Sequence, residues 1–102
     1  MKTLETLDTA KIIDVIIETI RRYLNPSRII LFGSRAEGGG KRYADFDIAV
    51  EGVKMDIRKE RLLKDAFDEK LGIFTVDLIS LDKVDIEFKK LVLDKGKVIY
   101  EQ

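Results

Sequence analysis

Isoleucines at positions 12, 13, 16, 17 and 20, followed by Leu24, return apolar side chains to one side of the chain every three to four residues. The pattern predicts an amphipathic helix from about Thr9 to Leu24, capped by Asp8 or Thr9 and ended by Asn25-Pro26. Isoleucine by propensity favours strands, but the period and the length decide for helix. Arg21 and Arg22 then fall in the last turn, where positive charge suits the helix dipole. A second helix is predicted from Asp56 to Leu71, with Leu63, Phe67 and Leu71 one turn apart, a charged opposite face, and Gly72 as its stop. A third, Val84 to Leu93, puts Val84, Phe88, Leu91 and Val92 on one face and ends at Gly96. Short apolar runs at Ile29–Phe32, Ile48–Val50, Ile73–Ile79 and Val98–Tyr100 predict four strands. The order helix, strand, strand, helix, strand, helix, strand implies an α/β (α+β) fold, a small mixed β-sheet flanked by helices. Periodicity supplies the elements but not their order in the sheet.

Length and composition narrow the chemistry. The 102 residues allow one domain with a single core. With 19 basic and 19 acidic side chains the formal net charge is zero, which argues against holding long nucleic acid through its phosphates. The chain has neither cysteine nor histidine. Disulfide frameworks, thiolate or imidazole zinc sites and histidine-based hydrolase triads are therefore excluded. Carboxylates, hydroxyls, lysines and arginines remain. No apolar run approaches a membrane span and Met1 leads into no signal-peptide core, so a cytoplasmic protein is expected.

The densest chemistry lies between Ile29 and Val50. The apolar run Ile29-Ile30-Leu31-Phe32 stops at Gly33-Ser34, where glycine permits close approach of a ligand to the backbone. Ten residues then separate Ser34 from Asp45, which is followed by Phe46 and by Asp47 at the head of the next apolar run. On a strand, side chains two apart share a face, so Asp45 and Asp47 would project together, about 6.5 to 7 Å apart. Two carboxylates so held repel unless a cation sits between them. Asp77, set among apolar and β-branched residues, is the candidate third carboxylate; the alternative is a buried aspartate bonded to backbone amides. Asp82 is the replacement candidate for that third carboxylate, but in turn-like sequence it reads better as a cap for the following helix.

This arrangement, Gly-Ser closing one strand and Asp-x-Asp opening the next, resembles the signature of the nucleotidyltransferase superfamily that includes DNA polymerase beta. At this length it is most similar to the minimal nucleotidyltransferases that pair with helical HEPN proteins. The resemblance spans essentially the whole chain. It implies that Asp45 and Asp47 hold two magnesium ions, and that Asp77 holds the catalytic one and eases deprotonation of the acceptor hydroxyl. Gly33 and Ser34 would bind the β- and γ-phosphates of a nucleoside triphosphate, with Arg35 either adding charge to that grip or making a surface ion pair. Arg35-Ala36-Glu37 could form one helical turn with its amides toward the ligand, whereas Gly38-Gly39-Gly40 lacks P-loop spacing and reads as a surface loop. Many relatives carry serine before the first aspartate, where this chain has Ala44.

The activity so implied is transfer of AMP from ATP to a hydroxyl, with a tyrosine of a HEPN toxin as acceptor and this chain as the antitoxin. Two other readings compete: an antitoxin that acts by contact alone, and a module that binds ATP without turnover. Apolar helix faces on so small a domain also favour association, with itself or with a partner. Nothing in the sequence selects adenine over guanine.

Overall fold

A computed structural model describes residues 9–33, 46–72 and 74–102. In chain order the elements are α1 (Thr9–Tyr23), β1 (Arg28–Phe32), β2 (Phe46–Glu51), α2 (Ile57–Lys70), β3 (Val76–Ser80), α3 (Ile86–Lys95) and β4 (Lys97–Glu101). The strands form a mixed sheet in the order β3-β2-β1-β4. β1 runs antiparallel to both its neighbours, whereas β2 and β3 are parallel. The parallel pair follows from the chain between them, because only a crossover the length of α2 can return the backbone to the same end of the sheet.

Each face of the sheet is covered by different helices. On one side Ile12, Ile16 and Ile20 of α1 and Leu63 and Phe67 of α2 share a core with Ile29, Leu31, Phe46, Ile48 and Val50. These strand residues alternate along β1 and β2, as a half-buried strand requires. Thr19 is also fully buried on α1, and its hydroxyl donates to the Val15 carbonyl at 2.7 Å, so the burial leaves that donor satisfied. On the other side α3 contributes Val92 to a smaller cluster with Ile30, Ala49 and Leu81. The sequence pattern had Val84, Phe88, Leu91 and Val92 facing inward together. Only Val92 is fully buried, because α3 lies over β1; Leu91 is 54% exposed, and Phe88 sits at the flank, edge-on to Phe32 with 6.0 Å between ring centres.

Helix boundaries shift where two residues could each serve as a cap. Asp56 caps α2, its carboxylate accepting from the Lys59 amide at 2.8 Å. For α3 the cap is Asp85, which accepts from the Phe88 amide, and not Asp82. Asp82 instead accepts from the amides of Gly52 and Val53, tying the turn after β3 to the turn after β2. The helix therefore begins later than its hydrophobic pattern suggests.

At the end of the sheet where β1 begins and β2 finishes, the Arg28 guanidinium donates to Glu51 at 2.6 Å, and Lys89 of α3 approaches the same carboxylate at 3.7 Å. The hydrogen bond from Arg28 holds the Glu51 carboxyl below its ordinary range, against the opposing effect of its partial burial. A carboxyl depressed in the folded state stabilises fully above its unfolded value and loses that contribution as pH falls through the folded one. Glu51→Gln should accordingly cost about 1 kcal/mol at neutral pH. Chemical denaturation at a series of pH values should show this difference shrinking on acidification below the usual glutamate range.

Candidate active site

β1 delivers Gly33 to the edge of the site and β2 returns Asp47 beside it. Gly33 has φ +77°, in the left-handed region that favours glycine. A Cβ at this position would run into Oδ2 of Asp47 and lie 3.2 Å from its Cγ. Glycine thus lets the Asp47 carboxylate rest directly against the end of β1. Phe32 is the antiparallel partner of Asp47, and Asp77 is its parallel partner on β3. Residues in register on neighbouring strands share a face, with strands about 4.8 Å apart. Phe32, Asp47 and Asp77 therefore form a row across three successive strands, and Gly33, the residue after Phe32, lies against the Asp47 carboxylate.

The row lies on the α3 side of the sheet, since Asp47 alternates with Ala49 and Asp77 with Ile79, both of which pack in the α3 cluster. Asp47 is half-buried and Asp77 exposed. That exposure removes the reading of Asp77 as a buried aspartate bonded to amides. It also explains how an acidic residue fits an apolar strand: Val76 and Leu78 turn to the α2 side while Asp77 turns away. Among the described residues no group of three or more acidic side chains gathers. Asp45, Ser34 and Arg35 lie outside the described residues, as do Ala44 and Gly38-Gly39-Gly40. The donor set that is present, two carboxylates in register on one face, suits a hard divalent cation with oxygen ligands.

Two concave features neighbour these residues. A cavity of about 210 Å³ abuts Gly33, walled by Phe32, Phe88, Leu91 and Val92 with Lys95 at its rim. A groove of about 320 Å³ follows the free flank of β3, between that strand and α2. Phe32 beside Gly33 is the one sequence signal for the first. Nothing local marks the second, which lies where β3 is the edge strand among the described residues.

The model of the polymerase beta nucleotidyltransferase family matches residues 14–102. The chain belongs to that family. Among the family's members, a probable protein adenylyltransferase MntA from Haemophilus influenzae is 32% identical over 89 residues, covering 85% of this chain and 78% of the relative. A toxin–antitoxin crystal structure with AMP-PNP superposes with a TM-score of 0.76 at 27% identity, covering 87% of this chain and 73% of that one. An MNT antitoxin in complex with a tri-AMPylated HEPN toxin, from Shewanella oneidensis, gives a TM-score of 0.63 at 26% identity over 96% of this chain and 73% of the other. The small mixed sheet with three helices is the architecture of these nucleotidyltransferases.

Proposed function

We propose that this nucleotidyltransferase is a protein adenylyltransferase, the antitoxin of a toxin–antitoxin pair, which moves AMP from ATP to a tyrosine hydroxyl of a HEPN-domain toxin. The observation that carries the reading is the pairing of Asp47 with Asp77 in register across β2 and β3, with Gly33, just past the end of β1, against the Asp47 carboxylate. Support comes from the adenylyltransferase relative and from the neighbour bound to an AMPylated toxin. The whole 102-residue chain acts as one domain in the cytoplasm. No helix among the described residues is long and apolar enough to cross a membrane.

In this reading Asp45 and Asp47 would hold two magnesium ions and Asp77 would share in holding the catalytic one. Magnesium, when bound, supplies charge stabilisation to the transferring phosphoryl group and to the oxygens that attack and leave. The amide at Gly33 and the hydroxyl of Ser34 grip the β- and γ-phosphates, with Arg35 adding positive charge. The acceptor oxygen bonds to the α-phosphorus as the bond from that phosphorus to the α–β bridging oxygen breaks, and pyrophosphate leaves. The hydroxyl proton passes to the Asp77 carboxylate and on to water, which the exposure of Asp77 permits. Incubating the HEPN partner with ATP labelled in the α-phosphate and magnesium should label the partner and release one pyrophosphate per AMP transferred. Binding of both proteins and ATP without label transfer would refute the proposal.

A further inference from the structure

At the end of the sheet away from Asp47, a hollow of about 420 Å³ opens between the last turn of α1, the turn after β2 and the first turn of α2. Its charged lining is Arg21, Arg22, Lys54 and Lys59, with no carboxylate among the described residues that wall it. The groove beside β3 and the hollows along α1 and α3 carry charges of both signs. On a chain of formal net charge zero, four cations gathered from three segments repel one another, and no general basic excess explains them. Arg21 and Arg22 suit the end of α1, but Lys59 sits in the first turn of α2, where the helix dipole disfavours a cation. The Asp56 carboxylate that caps this helix accepts from the Lys59 backbone amide. Of the four, only Arg22 pairs with a carboxylate among the described residues, that of Glu18 at 3.3 Å. Arg21 holds its guanidinium over the Tyr100 ring, 4.7 Å from the centre, a face-on contact that does not use its N–H edge.

We propose that this hollow binds a compact polyanion with adjacent phosphoryl groups, at a site separate from the one at Gly33 and Asp47. Five residues of extended chain, roughly 16 Å, separate Asp47 from Gly52 in the lining. Asp47 also faces α3, whereas the hollow lies at the ends of α1 and α2, which cover the other side of the sheet. Adjacent phosphoryl groups bring several negative charges into one small volume, where guanidinium forks and ammonium groups can meet them together. An acidic peptide matches less well, because its carboxylates alternate between faces along an extended chain. A nucleic-acid strand matches less well too, since continuing along α1 it would meet Asp14 and Glu18, which line the adjoining hollow. Inorganic polyphosphate and the tail of a second nucleotide share the required chemistry.

Calorimetry of the whole chain with inorganic triphosphate, in magnesium-free buffer at low ionic strength, tests the site without the cation that the carboxylates would need. The wild type should bind one equivalent, with an affinity that falls as salt is added. Arg21→Gln with Lys59→Gln should weaken binding about tenfold or more, and so should Lys54→Gln with Lys59→Gln, which spares the contact with Tyr100. Both pairs should keep the circular dichroism spectrum of the wild type, because all three positions are exposed; if one pair fails to fold, the other decides. Lys90→Gln, exposed on α3, should change nothing. ATP in the same buffer separates the sources: tighter binding than inorganic triphosphate points to a nucleotide tail, weaker binding to an inorganic anion, and both uphold the site. No binding by the wild type, undiminished binding in the folded pairs, or an equal loss in Lys90→Gln overturns it. So does tighter binding of oligouridylate or oligoglutamate that the same pairs lose, which would make the hollow a nucleic-acid or a protein surface. Loss of magnesium AMP-PNP binding in the pairs overturns the separateness of the two sites.

Discussion

Asp47→Asn should lower AMP transfer by a factor on the order of 10³ or more while leaving the fold in place. Magnesium contributes several kcal/mol to the stabilisation of a transferring phosphoryl group, and about 1.4 kcal/mol corresponds to each tenfold in rate. Asparagine has the shape of aspartate, so its side chain can keep the position against Gly33 that the glycine's missing Cβ allows. What it lacks is the negative charge that strengthens the hold of a carboxylate on a divalent cation. The wild type should therefore be stabilised by magnesium AMP-PNP, by about 2.7 kcal/mol at a hundred times its Kd, and the variant should lose most of that gain in a thermal melt. The same variant separates catalysis from contact. If the complex with the HEPN partner survives while neutralisation of the toxin is lost, binding alone does not silence the partner. Neutralisation that persists without transfer would instead favour an antitoxin acting by contact.

Most secondary structure was legible because it is written in short-range patterns. The isoleucine spacing of α1, the Leu63 and Phe67 pair of α2 and the apolar runs of the strands each carry their own period. Boundaries were less secure where the same residue type occurs twice within reach, as with Asp82 and Asp85 ahead of α3. The candidate site was legible in part. Gly33 and Asp47 stand out because each interrupts or opens an apolar run, and β1 and β2, adjacent in the sequence, pair with each other in the sheet. The relation of Asp47 to Asp77 was not. Thirty positions and the whole of α2 separate them, and only the parallel register, set by how α2 packs back on the sheet, decides whether they meet. The placement of β4 on the far side of β1 is equally tertiary, and it makes β3 an edge strand among the described residues.

Gly33→Val should cost both stability and activity, and the two losses can be told apart. A β-branched residue at φ +77° adopts a conformation that costs roughly 1 to 2 kcal/mol before any contact is considered. The new side chain must also displace the Asp47 carboxylate, because even the first carbon would overlap its Oδ2. A displacement of about 1 Å in a reacting constellation can reduce turnover by 10²-fold, so transfer should fall by at least about that factor in the fraction that remains folded. Gly52 supplies the control. It too has positive φ, +79°, and a Cβ there would press on Ser27 at the opposite end of the same strand pair. Gly52→Ala should therefore lower the midpoint of denaturation through the same kind of backbone strain while the turnover per folded molecule stays near that of the wild type. Gly33→Ala, with the smaller side chain, should lie between the wild type and the valine variant in both stability and turnover. Equal turnover in the Gly33 and Gly52 variants, once corrected for the folded fraction, would mean that the contact between Gly33 and Asp47 serves packing and not the positioning of the carboxylate.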